Sequence, residues 1–251
     1  MKRSMITAVE TFARKGCKPV LLATVLLALF VTPLMGKNPP RIAPPGSVAY
    51  GKSLTEWLSI YWRWSYGTGA DITQSKVGIV QLMPIPAGDW TGSGTLEDPW
   101  VAVGRLEITI PAGTPFVLPQ FSWVGERYQG YPSVPDDPTM ADECVLNYLR
   151  PTLTIDGITV MSEANMAAFY VPPTFFDPIV VYPEPTWYGA VAGVFFQGVG
   201  LVCQPLPVGV HEIHLFEPYL LPAGCYPLYP DGLGLVYDNT WIVTVVPYPV
   251  D

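Results

Sequence analysis

The sequence predicts a mainly β fold, a two-sheet antiparallel sandwich of jelly-roll type with one N-terminal amphipathic, Trp-rich helix packed on it. Short apolar runs recur along the chain between turn residues, among 29 prolines and 23 glycines, which is typical of β-sandwiches. After the N-terminus, only residues 50–67 show a clear helical period. Because 49% of the residues are apolar and 14% are charged, the composition is that of a folded chain.

The first 36 residues have the pattern of a signal peptide. Basic residues precede an uninterrupted apolar run at 20–31, the order of a positive n-region and an apolar h-region. A membrane-spanning helix needs about 20 apolar residues, so we predict cleavage near Gly36. Leu34 is a poor match to the A-x-A pattern, which leaves an uncleaved membrane anchor as the alternative. The predicted location is therefore secreted, periplasmic or in the cell envelope.

Residues 37–49 are rich in proline and are predicted to be an extended linker, followed by a single domain over residues 50–251. The domain begins with a predicted helix at residues 53–66. Ser53 and Glu56 have the spacing of a capping box, and Gly67 is expected to end the helix. We expect its apolar face to pack across one sheet or one end of the sandwich. The residues of that face are Leu54, Trp57, Leu58, Tyr61, Trp64 and Ser65.

The strand predictions follow from alternation and from turn residues. The clearest is a hairpin at 152–160, in which Asp156-Gly157 is a type I′ turn pair. This turn sets Ile155 opposite Ile158, and Leu153 opposite residue 160. Residues 241–246 are apolar on both faces, which predicts a central strand, whereas residues 122–150 lack periodicity and are predicted to be a long loop. Other predicted strands lie at 78–83, 100–110, 115–121, 168–171, 179–182, 191–202 and 210–216.

Four short motifs resemble those of a functionally uncharacterised family of exported bacterial proteins. They are G-K-S-L-T-E-W-L-S-I-Y-W-R-W in the helix, I-P-A-G-T-P-F-V-L-P at 110–119, T-I-D-G-I-T-V at 154–160 and P-L-P-V-G-V-H-E-I at 205–213. In that family a Trp-rich helix precedes a β-sandwich, so the resemblance implies an exported β-sandwich and brings no reaction with it. The chain differs from the family in the helix, where Tyr61-Trp62 replaces a pair of tryptophans.

Export implies an oxidising compartment, in which one disulfide is expected. Cys203 and Cys225 flank a predicted strand and are the favoured pair. Cys144 with Cys203 is the alternative. The chain has no C-x-x-C pair, so the spacing does not suit a zinc site.

Aromatic side chains in or near loops are candidate ligand-binding residues, because flat rings stack on sugar faces. The alternative is that they anchor proline-rich loops. His211 is a further candidate, although alternation places it on the inner face of its strand, where a buried structural histidine is the simpler interpretation. His214 falls on the opposite face. The aromatic candidates are Trp90, Trp123, Tyr128, Tyr131, Trp187 and Tyr188.

An acidic cluster in the predicted long loop is the candidate metal site. Oxygen ligands suit calcium, but the spacing is not that of an EF-hand, and a solvated acidic loop is the alternative. No other cofactor is predicted. Scattered carboxylates such as Glu126 and Glu163 do not define a catalytic pair. The four candidate calcium ligands are Asp136, Asp137, Asp142 and Glu143.

These features favour an exported, non-enzymatic binding or adhesion module for a glycan or a surface polymer. A self-assembling structural or coat protein of the cell surface, and hence a homo-oligomer, is the alternative, and a secreted hydrolase is the third hypothesis. The net charge of −8 becomes more negative without residues 1–36, which argues against nucleic acid and anionic lipid as partners. Contact with a membrane is expected only through an uncleaved N-terminal segment.

Overall fold

The described part of the chain contains eleven strands, the α-helix Leu54–Thr68 and two short 3-10 helices, Ile72–Gln74 and Met166–Phe169. The computed structural model of the protein describes residues 42–86, 88–129, 147–186, 189–225 and 230–248, all within a unit that spans Pro39–Asp251. The predicted signal peptide lies outside these residues. Within them, no helix is long and apolar enough to span a bilayer. The elements are α1 (Leu54–Thr68), β1 (Lys76–Val77), β2 (Val80–Leu82), β3 (Trp90–Thr91), β4 (Trp100–Pro111), β5 (Phe116–Tyr128), β6 (Thr152–Ile155), β7 (Ile158–Ser162), β8 (Tyr170–Val181), β9 (Ala190–Cys203), β10 (Gly209–Leu221) and β11 (Leu233–Val246).

The strands form two sheets that pack face to face, with α1 on the outer face of the first sheet. The first sheet has five strands in the order β1-β2-β5-β9-β8, and the second has six in the order β3-β4-β11-β10-β6-β7. The predicted mainly β sandwich with one helix packed on it is therefore confirmed. The jelly-roll connectivity stays a prediction.

Both sheets are mixed, so the prediction of a purely antiparallel sandwich is wrong. β2 runs parallel to β5, and β4 runs parallel to β11 along its whole length. A tight turn forces the two strands that it joins to be antiparallel. β4 and β11 lie far apart in the sequence and no turn joins them, so hairpin signals carry no information about their relative direction.

β-Bulges explain why part of β5 has no strand pattern in the sequence. Residues 122–128, predicted to begin a long loop, are the second half of this strand. The pairing of β5 with β9 shifts register between Pro119 and Phe121 and again between Gly125 and Glu126. Each bulge adds an unpaired residue, so the inward-facing positions no longer keep a period of two.

The hairpin of β6 and β7 turns where the sequence predicts. Asp156 and Gly157 have φ values of 53° and 79°, which a type I′ turn requires, and the residues that flank them pair as predicted. Leu153 lies opposite Met161 rather than Val160. That part of the prediction is wrong because a register shift follows Leu153, which sequence alternation does not reveal.

The main core lies between the two sheets, and a second core lies between α1 and the first sheet. Trp241 of β11 is buried in the main core and donates its indole N–H to the carbonyl of Pro84 at 2.7 Å. β11 is central, between β4 and β10, as its apolar residues on both faces predict. In β9, which contributes to both cores, all residues but one are buried. A strand covered on both faces therefore loses the alternation that a half-exposed strand shows.

α1 begins at the predicted capping box and ends later than predicted. Ser53 Oγ accepts from the backbone N–H of Glu56, and the Glu56 carboxylate accepts from the backbone N–H of Ser53 at 2.7 Å. The helix continues through Gly67 and stops at Gly69, whose φ of 66° is left-handed. The choice between the two glycines depends on tertiary packing, which lies outside the local pattern.

The aromatic face of α1 packs on the first sheet, which confirms the predicted seat of the helix. Trp57 and Trp64 are 1% and 6% exposed, and Trp62 is also buried. The helix approaches β9 closely at Gly200, where a Cβ atom would lie 2.6 Å from Leu58 Cδ2. The absence of a side chain at this position thus lets the leucine meet the sheet backbone.

The segment before α1, predicted to be an extended linker, is attached to the first sheet where it is described. Ile42 forms an antiparallel bridge with Cys203, and the N–H of Ala43 donates to the carbonyl of Val202 at 2.8 Å. Ala43 also helps to line a small apolar cavity against Phe169, with a volume of about 10 Å³, room for about one water molecule.

We expect Tyr61→Phe to destabilise the fold by about 1–2 kcal/mol, because the Tyr61 hydroxyl is buried and donates to the carbonyl of Met83 at 2.9 Å. Without this donor, the carbonyl of the buried Met83 loses a hydrogen-bond partner. Urea unfolding measures the effect. Tyr50→Phe is the matched control, because Tyr50 is 40% exposed, and equal stability of the two variants would contradict the prediction.

Candidate functional site

The outer face of the second sheet is exposed, whereas α1 covers the outer face of the first. Along β10, residues with odd numbers from 211 to 221 point into the core and those with even numbers point outward. Because large apolar side chains are among the outward ones, this surface, called the open face below, is the candidate functional site. Its residues are Val103, Arg105 and Glu107 of β4, Val210, Glu212, His214, Phe216 and Leu220 of β10, and Asp238 and Thr240 of β11.

Three apolar side chains at one end of the open face lie on two strands of the same sheet. Val103, Phe216 and Leu220 are 63%, 43% and 43% exposed. Asp238 pairs with Phe216 on one side and with Val103 on the other, so these residues share a row across three strands. One exposed apolar residue needs no explanation, but these three lie on the same face of one sheet, on the two strands that flank β11, which makes this face a candidate binding surface.

A carboxylate–imidazole pair borders this apolar group. His214 Nε2 and Asp238 Oδ1 are 2.7 Å apart, and the two side chains are 37% and 39% exposed. Thr240 lies opposite His214, and Arg105 continues the same row on β4. The open face therefore presents hydrogen-bond donors and acceptors next to exposed apolar groups, a combination that can bind a ligand with both hydroxyls and apolar ring faces.

The structure places the described aromatic candidates away from the open face. Trp90 lies on β3, is 50% exposed, and packs edge to face on Tyr237 with ring centroids 5.3 Å apart. Trp123 and Tyr128 belong to β5 rather than to a loop, and Trp123 packs against the main core. The remaining aromatic candidates lie outside the described residues, so their sugar-stacking role stays a prediction; they are Tyr131, Trp187 and Tyr188.

The candidate calcium ligands also lie outside the described residues, and the calcium site stays a prediction. They are Asp136, Asp137, Asp142 and Glu143. Among the residues that the structure does describe, no three or more His, Cys, Asp or Glu side chains are grouped so as to hold a metal ion.

His211 is buried on the inner face of β10, where alternation places it. The side chain is 7% exposed. Its Nδ1 lies 2.7 Å from Asp156 Oδ2, and its Nε2 lies 2.8 Å from the carbonyl oxygen of Pro207. Both ring nitrogens therefore have partners within the protein. His214 points to the opposite face, as predicted, so the two histidines do not share a site.

Cys203 is a free thiol, so the structure shows neither of the predicted pairings, with Cys225 or with Cys144. Its side chain points into the main core at the end of β9, and burial raises the pKa of the Cys203 thiol well above its ordinary value. Cys225 is disulfide-bonded. Spacing along the chain did not reveal that Cys203 faces the core.

Glu217 is a buried carboxylic acid that the sequence analysis did not single out. It is 0% exposed, and among the described residues neither carboxyl oxygen has a hydrogen-bond partner. Burial raises the pKa of Glu217 well above its ordinary value of 4.5, which favours the protonated form in the folded state. Sequence alternation could have predicted this burial, because Glu217 lies at the same two-residue spacing as the inward-facing Ile213 and Leu215.

No protein-family model, curated protein or solved structure matches this chain. Function is therefore inferred from the residues of the open face. The sequence indicated one residue of the open face, because alternation from Val210 to Phe216 places His214 on the outer face of its strand. It did not reveal Asp238 as the partner of His214, because the two residues lie on different strands whose register the sequence does not specify.

We expect Glu217→Gln to change how the free energy of unfolding depends on pH. The folded state retains the Glu217 proton at pH values where the unfolded chain has lost it, so wild-type stability falls as pH rises above the ordinary value of 4.5. The difference between the two proteins should change by up to about 1.4 kcal/mol per pH unit in favour of the variant.

Chemical unfolding from pH 4 to pH 8 measures this difference. Glu212→Gln on the exposed side of the same strand is the matched control. Parallel stability curves for wild type and Glu217→Gln would contradict the prediction.

We expect the Cys203 thiol to resist alkylation in the native protein and to react after denaturation, because it is 1% exposed and its thiolate is disfavoured. Mass spectrometry of peptides alkylated without a reductant, with and without denaturant, measures this. The appearance of the Cys203 peptide in a disulfide would contradict the free-thiol assignment.

Proposed function

We propose that this protein is an exported, non-enzymatic binding module that uses the open face to hold a glycan or a surface polymer. The observation that carries the proposal is the exposure of Phe216 and Leu220 beside the His214–Asp238 pair. The first sheet has the corresponding face buried under α1. Among the described residues, the open face is thus a sheet surface that an extended ligand can contact.

The side chains of the open face suit a neutral or weakly charged polymer. Asp238 supplies acceptor oxygens and Arg105 supplies donors, so both hydrogen-bonding groups of a hydroxyl can be paired. Phe216 and Val103 offer apolar contact to the C–H side of a sugar ring. Glu107 and Glu212 are also exposed on this face, which does not suit phosphate-rich ligands such as nucleic acid.

The signal-like residues 1–36 support export. Export in turn favours a ligand found outside the cytoplasm. A protein outside the cytoplasm meets surface glycans and polymers, and it meets an oxidising compartment. The bonded state of Cys225 fits that compartment.

A second function, self-assembly at the cell surface, is favoured by the apolar character of the same face. The exposed edge of β8 is a poor route for assembly, because Pro172, Pro173 and Pro178 lack the N–H groups that a further strand would need. Assembly would then proceed through Val103, Phe216 and Leu220, and the protein would grow in size with concentration.

We expect Phe216→Ala to weaken glycan or polymer binding about tenfold or more, because central aromatic residues carry a large share of binding energy. An array of neutral and acidic glycans first identifies the strongest ligand of the wild type, and calorimetry then compares the variants on it. Phe175→Ala is the matched control, because Phe175 is 62% exposed and lies on the first sheet.

If the wild type binds no glycan on the array, or if the two variants bind equally, the proposal is contradicted. If light scattering shows that the wild type grows with concentration and Phe216→Ala does not, the open face serves self-assembly instead.

A further inference from the structure

His211 connects three segments near one end of the second sheet. It lies on β10, its Nδ1 is 2.7 Å from Asp156 Oδ2 in the turn between β6 and β7, and its Nε2 is 2.8 Å from the Pro207 carbonyl oxygen in the connection between β9 and β10. Both distances are those of good hydrogen bonds. The imidazole therefore links the edge hairpin and a crossing between the sheets to the strand on which it lies.

Both partners of the ring are hydrogen-bond acceptors. A backbone carbonyl oxygen has no proton to give, and an ionised carboxylate has none either. Asp156 is held as an acceptor by a second contact, because its Oδ1 accepts the backbone N–H of Glu212 at 3.1 Å. Two acceptors are satisfied together only when both ring nitrogens carry hydrogen, which is the imidazolium form.

The surroundings of the ring contain one charged partner in the described part of the chain. Asp156 supplies it from the β6–β7 turn. Val243 lies opposite His211 on β11 and is apolar, and the neighbouring Glu212 is exposed on the other side of β10. A buried imidazolium paired with one carboxylate is electrically balanced, which makes its burial tolerable.

We propose that His211 is a pH-responsive clamp, closed in its doubly protonated form, that holds the β9–β10 connection to the β6–β7 turn. When the ring loses one proton, a single N–H remains. The charge-assisted bond to Asp156 is the stronger of the two, so the N–H stays on Nδ1. The lone pair of Nε2 then faces the lone pairs of the Pro207 carbonyl, and the connection at residues 204–208 is released.

The sign of the effect follows from the proton count. The closed clamp binds one more proton than the open one, so its stability is complete at low pH and is lost as pH rises. This clamp is independent of the proposed ligand, because His211 faces the core and the open face lies on the other side of β10. Failure of the glycan screen would leave it unaffected.

Asp156→Asn tests the clamp because it reverses the direction of the hydrogen bond between residue 156 and His211 Nδ1 while the fold is kept. Asparagine accepts the left-handed conformation that residue 156 adopts at φ 53°, and its carbonyl can still accept the Glu212 N–H. Its amide N–H donates to Nδ1, so a neutral ring with hydrogen on Nε2 satisfies both partners. The pH response should therefore disappear in this variant.

Hydrogen exchange of the peptide at 204–209, corrected for intrinsic rates, is measured in the full chain at about pH 5.5 and about pH 8.5, on either side of the value near 6.5 at which free imidazole titrates. In the wild type we expect exchange to speed up by about 10- to 100-fold at the higher pH, the loss of one bond to a charged donor. Asp156→Asn should show no such change. His214→Gln, which alters the other histidine, should behave as the wild type.

Imidazole ¹⁵N shifts supply an independent measurement on the wild type. We expect both nitrogens of His211 to be protonated at the lower pH and Nδ1 alone to be protonated at the higher pH. A ring with one protonated nitrogen at both pH values, or an equal change of exchange in wild type and Asp156→Asn, would overturn the proposal.

Discussion

The packing of α1 on the first sheet determines which surfaces of the sandwich are buried. Its tryptophans cover the outer face of that sheet, so β9 is enclosed on both sides and is apolar almost throughout. Along β10 of the second sheet the outward side chains are exposed or half-buried, so this strand alternates between core and solvent. One helix therefore divides the molecule into a sheet that serves stability and a sheet with a face left for function.

The sequence predicted the elements that depend on local interactions. The capping box of Ser53 and Glu56 set the start of α1, and Asp156-Gly157 set the β6–β7 turn, because both act within a few residues. The sequence did not predict the parallel pairing of β4 with β11 or the bulges of β5. These depend on contacts between distant segments, for which one sequence provides no register. The open face was missed for the same reason, since Asp238 and His214 meet only across strands.

His211 and Glu217, two polar residues buried in the sandwich, differ in their hydrogen bonding. His211 is buried with a partner on each ring nitrogen, so its hydrogen-bonding capacity is used. Glu217, further along the same strand, is buried with neither oxygen paired to a described residue, and its burial is tolerated because the protonated acid carries no charge. A rise in pH therefore acts against the fold at Glu217, where it ionises the buried acid.

The two histidines show how β10 separates function from stability. Three residues apart, they fall on opposite faces of the strand, and each meets a carboxylate at 2.7 Å. The pair on the inner face is enclosed and ties segments of the backbone together, whereas the pair on the open face is more than one-third exposed and free to exchange its hydrogen bond for one to a ligand. Because His211 faces the core and His214 faces the solvent, a substitution at the open face can alter binding without loosening the core. A binding surface on a rigid sheet requires this independence.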